Sequence, residues 1–143
     1  MPRLQRRQAT IMSADVAGYT SMMAKNDVLT LRALLECIER IAALVRAFNG
    51  RVVDSVGDNL LAEFPSERTA LCCANEVQLM LLERNRDCDP AERMEFRIGL
   101  SSGCVYVGYE SRLPTSCWNR LAAIGSLEPN QVCETTCGKT DAT

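Results

Sequence analysis

A chain of 143 residues with 47% hydrophobic content fits one compact α/β domain and leaves little room for a second. Its 16 basic and 18 acidic side chains leave a net charge of −2, so the total gives no electrostatic case for nucleic acid or an anionic membrane. With no histidine, Ser-His-Asp, Cys-His and HExxH chemistries are excluded.

The amino terminus, "MPRLQRRQ", carries three arginines and reads as a flexible basic segment over residues 1–7. Too few apolar residues follow it for a signal-peptide core, and no run approaches the ~18 apolar residues of a membrane span. The expectation is a soluble, cytoplasmic chain with no membrane segment.

Residues 8–16, "QATIMSADV", predict a buried strand: apolar positions run almost unbroken up to Asp15, and a glycine turn stops them. From Asn26 or Asp27, either able to cap a helix, Leu31, Leu34, Leu35, Ile38, Ile41, Ala42, Val45 and Phe48 recur at helical spacing until "NG" at Asn49 and Gly50. Two short strands follow, "RVVDSV" and "NLLAEF", joined through a tight hairpin at Gly57 and Asp58. Pro65 and Ser66 open a second helix with Ala70, Cys73, Ala74, Val77, Met80 and Leu81 inward, ending at the polar "RNRDCDPAER".

"MEFRIGLSSG" and "CVYVGYE" read as a further strand pair. Beyond Glu110 the pattern weakens to one short helix around Asn119 to Ile124 and one short strand near Val132. The order β-α-β-β-α-β-β predicts an α+β fold: a ferredoxin-like antiparallel sheet with a βαββαβ core and both helices on one face. Residues 1–143 form a single domain in this reading, and 111–143 are its divergent part.

Of the eight cysteines, Cys133 and Cys137 in "CETTC" are the best candidates for a metal or a disulfide. Free, mostly buried thiols are the preferred reading.

In the predicted topology Asp15 ends the first strand and Asp58 sits in the hairpin, so both carboxylates project from one edge of the sheet. Two acids held that close repel unless a cation lies between them, and hard oxygen ligands suit a divalent ion. The plainer reading is that Asp15 only caps a turn and Asp58 only shapes a hairpin.

With their flanks, "SADVAGYT", "GRVVDSVGDNLLAEFPS" and "EFRIGLSSG", these residues resemble the catalytic domain of class III nucleotidyl cyclases, the adenylate/guanylate cyclase homology domain. The resemblance runs in good order over roughly residues 7–110 and in fragments thereafter. It implies conversion of a nucleoside triphosphate, ATP favoured over GTP, to a 3′,5′-cyclic monophosphate and pyrophosphate in cyclic-nucleotide signalling. It also implies two divalent cations, Mg²⁺ or Mn²⁺, as cofactors. Asp15 and Asp58 match the metal-binding aspartates, and Val16 matches the position that lends a backbone carbonyl. Ala17, Gly18, Tyr19 and Thr20 match the phosphate loop. Asp54, four residues before Asp58, stands at the base-recognition position, which holds Lys in typical adenylate cyclases and Glu in typical guanylate cyclases. A carboxylate there can only accept hydrogen bonds.

The family's late helix carries N-x-x-x-R. Here Asn119 is present, Ala123 stands at the Arg position, and Arg120 is the nearby guanidinium, about 100° around a helix from Asn119. Because family members build each site from two chains, the resemblance implies a homodimer, or a heterodimer with another cyclase domain, with Asn119 and Arg120 acting in the neighbour's site. The alternative is a catalytically impaired homology domain that binds a nucleotide or serves as a regulatory or dimerisation module. A third reading is a ferredoxin-like interaction module with no nucleotide site.

Overall fold

The computed structural model of the chain describes the backbone of residues 5–107 and 132–136 and the side chains of residues 8–103. The elements run β1 (Gln5–Val16), α1 (Tyr19–Lys25), α2 (Asp27–Ala47), β2 (Arg51–Val56), β3 (Asn59–Phe64), α3 (Glu67–Arg86), a 3-10 turn at Pro90–Glu92, β4 (Phe96–Val107) and β5 (Val132–Thr136). Among the described residues the strands form one sheet in the order β2-β3-β1-β4-β5. The first four are mutually antiparallel, as expected of a ferredoxin-like core, and β5 joins β4 in parallel at the edge.

The core lies on one face of that sheet. Met12, Ala14 and Val16 of β1, Leu60, Ala62 and Phe64 of β3, and Phe96, Ile98 and Leu100 of β4 alternate inward. They meet Leu34, Cys37, Ile41 and Val45 of α2 and Ala70, Cys73, Val77 and Leu81 of α3. Both long helices therefore cover the same face, and each fully buried large side chain contributes roughly 1.5–3 kcal/mol of transfer free energy. The opposite face carries the intervening residues, among them Ser13, Asp15, Leu61 and Arg97.

Local chemistry sets the helix ends. The Asn26 side chain accepts from the Leu29 amide at 3.1 Å, and Ser66 Oγ accepts from the Thr69 amide at 3.2 Å. At the far end of α2 the Gly50 amide donates to the Val45 carbonyl and the Asn49 amide to that of Arg46. This is a Schellman closure with Asn49 in the left-handed region at φ 61. Gly50 serves a different need, because a Cβ there would lie 2.5 Å from the Phe64 ring.

Four sequence expectations change. The first strand begins at Gln5, not Gln8, because Gln5 to Arg7 pair with Val107 to Val105; residues 5–7 are ladder, not a flexible end. "MEFRIGLSSG" and "CVYVGYE" are not two strands: β4 runs without a break to Val107, since every residue from Phe96 onward has a partner on β1. Near the expected break, Ser102 shares a 2.8 Å hydrogen bond with Thr10 across that ladder. The α3 helix continues to Arg86, past the expected stop before Arg84, because Arg84 donates to the Glu92 carbonyl and Asn85 to that of Met94, folding the loop back onto the last turn. Finally, Tyr19–Lys25 is a short helix where only a turn was expected. Seven residues are too few to show a period, and its attachment is tertiary: Thr30 of α2 donates its hydroxyl to the Met22 carbonyl at 3.0 Å.

The strand expected near Val132 is β5. Asn119, Arg120, Ala123, Cys137 and the short helix expected at 119–124 lie outside the described residues, as do residues 1–4.

Candidate functional site

Three strands bring charged groups together at one end of the sheet. Asp15, next to last in β1, stands directly opposite Asn59 on β3 and directly opposite Arg97 on β4. Directly opposed residues in an antiparallel ladder share a face and lie within side-chain reach. Asp58 precedes Asn59 in the hairpin, so it comes to the shoulder of Asp15 from the other side.

The hairpin places Asp58 by its length. Gly57 and Asp58 are the whole loop between β2 and β3, and Gly57 alone takes a positive φ, 58°, as the first central residue of a II′ turn requires. The two acids sense each other: burial raises the pKa of the Asp15 carboxyl, the Arg97 guanidinium opposes this through charge and hydrogen bonding, and the negative charge of Asp58 raises it further.

Arg97 is the site residue that sequence reasoning passed over. Its Nε donates to Asp15 Oδ1 at 3.2 Å and its Nη2 to Oδ2 at 3.3 Å, a two-pronged fork on both carboxylate oxygens. Both side chains are mostly buried, 20% and 23% exposed. The signal available in the sequence was a lone arginine inside the apolar run "EFRIGL", whose side chain had to face something acidic across the sheet. The strand end holding Arg97 is itself pinned: the Gln78 side chain donates to the Phe96 carbonyl at 3.0 Å, and the Ala17 amide donates to that of Glu95 at 2.8 Å.

That last bond alters the expectation for the loop Ala17–Thr20. The Ala17 amide is taken within the chain, so it does not face a ligand. Gly18, at φ 71, turns the backbone into α1, and a Cβ at that position would meet nothing within 4 Å. The amides of Gly18, Tyr19 and Thr20 precede the first intrahelical donor, the Met22 amide, which bonds to the Gly18 carbonyl. Val16 ends β1 with its side chain fully buried, opposite Phe96. Asp54 is exposed on β2, opposite Leu61, just past a register shift between Val52 and Asp54. Leu61 in turn opposes Ser13, which puts Asp54 on the face of Asp15 but one row along, roughly 7 Å of strand rise away.

As donors, Asp15 and Asp58 suit a hard divalent cation: two carboxylates, mutually repulsive, at a partly exposed sheet end. Among the described residues no group of three or more His, Cys, Asp or Glu side chains could hold a metal. A cation here would therefore complete its shell from main-chain carbonyl, substrate oxygen and water. The described cysteines are free thiols, Cys37 and Cys73 buried, Cys88 partly so and Cys72 exposed.

A family model described as "Adenylate and Guanylate cyclase catalytic domain" matches residues 2–118. The chain belongs to that family. The Rhizobium meliloti protein named "Putative adenylate cyclase 3" is 32% identical over 105 residues, covering 73% of this cyclase-family chain and 18% of the relative. The Myxococcus xanthus serine/threonine-protein kinase pkn2 is 28% identical over a stretch of the same length, 13% of its own. The cyclase-family chain thus spans less than a fifth of these curated relatives. Among solved structures, an adenylate/guanylate cyclase/hydrolase from Silicibacter pomeroyi is 31% identical with a TM-score of 0.76, covering 91% of this chain and 76% of that one. A guanylyl cyclase at 22% identity and TM-score 0.77, covering 92% and 76%, shares the fold. Among the described residues, no helix of this cyclase-family domain is long and apolar enough to cross a membrane.

Proposed function

We propose that this domain is a metal-dependent nucleotidyl cyclase that converts a nucleoside triphosphate to its 3′,5′-cyclic monophosphate and pyrophosphate. The single observation that carries the reading is the placing of Asp58 beside Asp15 at the end of the sheet, with Asp15 held by Arg97. Asp15, Asp58 and the Val16 carbonyl would hold two divalent cations, which when bound supply a more acidic ribose 3′-hydroxyl and neutralise the triphosphate.

The chain's own groups do the rest. In the metal-free domain Arg97 holds the Asp15 carboxylate through both oxygens. The amides of Gly18, Tyr19 and Thr20 offer donors to phosphate oxygens, and the missing Cβ of Gly18 leaves room for their approach. Asp54 offers an acceptor to the exocyclic amine of adenine or to guanine N1–H, and the relative named as an adenylate cyclase supports ATP over GTP. Asn119 and Arg120 are assigned to the neighbouring copy's site, Asn119 on the ribose and Arg120 on the phosphoryl charge, which makes the working unit a dimer, most simply a homodimer. A cytoplasmic location goes with the nucleotide pool such an enzyme uses.

The test is purified protein with Mn²⁺ and each of ATP and GTP, assayed for cyclic product. Product from ATP that falls on the order of 100-fold in Asp15→Ala and in Asp58→Ala is the expected result. Undiminished product in both variants would overturn the reading. Ala123, at the position of the family's arginine, favours a second reading in which the domain binds nucleotide without turning it over. That reading predicts a rise in melting temperature with metal and nucleotide but no product.

A further inference from the structure

Each oxygen of the Asp15 carboxylate already accepts a hydrogen bond. Both are engaged by the same guanidinium, Nε on Oδ1 at 3.2 Å and Nη2 on Oδ2 at 3.3 Å. The contact is imposed by the backbone, because Asp15 and Arg97 are register partners on β1 and β4 and their side chains share one face. Partial burial, at 20% and 23% exposure, keeps water from screening the pair as it would at the surface. Yet both distances exceed the 2.7–2.9 Å or so typical of a tight charge-assisted bond, so the fork can open.

We propose that Arg97 is an internal competitor for the cation at Asp15: the arginine occupies the carboxylate in the metal-free domain, and a divalent ion must displace it to bind. The inference rests on the assignment of Asp15 and Asp58 as metal ligands and adds to it the step that sets their affinity. Charge explains the direction. Asp15 and Asp58 bring two negative charges, and Arg97 cancels one, so a cation approaching the metal-free site meets half the attraction the two acids alone would offer. The same arginine keeps the two acids from repelling each other when no cation is present. Exchange of Arg97 for the ion leaves the positive charge of the guanidinium within the site.

The consequence is a metal affinity held deliberately low, and it is read without turnover. Mn²⁺ titration of the whole chain, without nucleotide and followed by the electron paramagnetic resonance of the free ion, gives the dissociation constant. Arg97→Gln is expected to bind Mn²⁺ about tenfold more tightly than the parent, equivalent to about 1.4 kcal/mol. Arg97→Lys, which keeps the charge but cannot fork across both oxygens, is expected to fall between the two. Circular dichroism of the metal-free proteins establishes that each variant is folded, and Arg97→Lys carries the test if Arg97→Gln is not.

Two failures are distinguishable. If the parent binds Mn²⁺, Asp15→Asn and Asp58→Asn weaken it, and the Arg97 variants bind no more tightly than the parent, the competition is wrong and the metal site stands. If the parent's binding is indifferent to both aspartates, the metal site itself is wrong and the competition falls with it.

Discussion

Asp15 lies directly across the β1–β3 ladder from Asn59, and this one register relationship brings Asp58, the preceding residue, to its side. A shift of the hairpin by a single residue would turn every side chain of β3 to the opposite face and separate the acids. Because Asp58 is only half-buried and belongs to a turn, Asp58→Asn is expected to cut cyclic product on the order of 100-fold while leaving the urea midpoint near that of the parent. Loss of activity accompanied by a large fall in the midpoint would mean that Asp58 acts on folding instead.

Gly50 is required by packing. With a Cβ 2.5 Å from the buried Phe64 ring, Gly50→Ala forces the ring or the end of α2 to move. We expect a loss of about 1–3 kcal/mol in urea denaturation, typical of overpacking. Asn49→Gly, which relieves a positive φ of 61°, is expected to be neutral or slightly stabilising.

Gln78 is a buried polar group on α3 whose side chain donates to the Phe96 carbonyl next to Arg97. Gln78→Leu should leave that carbonyl without this donor at a cost of about 1–3 kcal/mol. If the bond also fixes the strand end that carries Arg97, the same variant shifts the Mn²⁺ dissociation constant; an unchanged constant would confine Gln78 to stability.

The buried thiols make the fold sensitive to alkali. Burial pushes the Cys37 thiol up to about 11 and the Cys73 thiol up to about 12, from an ordinary 9.0. Above pH 9 the unfolded chain releases these protons while the native state keeps them. The unfolded state then binds fewer protons, and stability falls as pH rises, by up to about 1.4 kcal/mol per pH unit for each thiol. Urea midpoints at pH 8 to 10 are expected to drop in the parent and to drop less steeply in Cys73→Ala. Native-state alkylation should reach the exposed Cys72 and spare Cys37 and Cys73.

The caps offer a simpler check. Asn26→Ala and Ser66→Ala each remove a side-chain acceptor for a first-turn amide and should cost about 1 kcal/mol. Asn26→Asp, which retains the acceptor, should not.

Much of this architecture was legible in the residues in order. The apolar run that buries Met12, Ala14 and Val16, the spacing of Leu34, Ile41 and Val45, the cap at Asn26 and the glycine of the two-residue hairpin are local signals, each decided by neighbours a few positions away. Those signals also placed Asp15 at a strand end and Asp58 in a turn. Tertiary structure alone decided what faces them. Arg97 reaches Asp15 across 82 positions of chain, the Ala17 amide is claimed by Glu95, and β4 continues through Gly103 because β1 is long enough to pair with it. Side-chain type and periodicity report which face of an element is buried, but an ion pair or a ladder partner depends on the register between distant strands, and that register is set only when the whole sheet assembles.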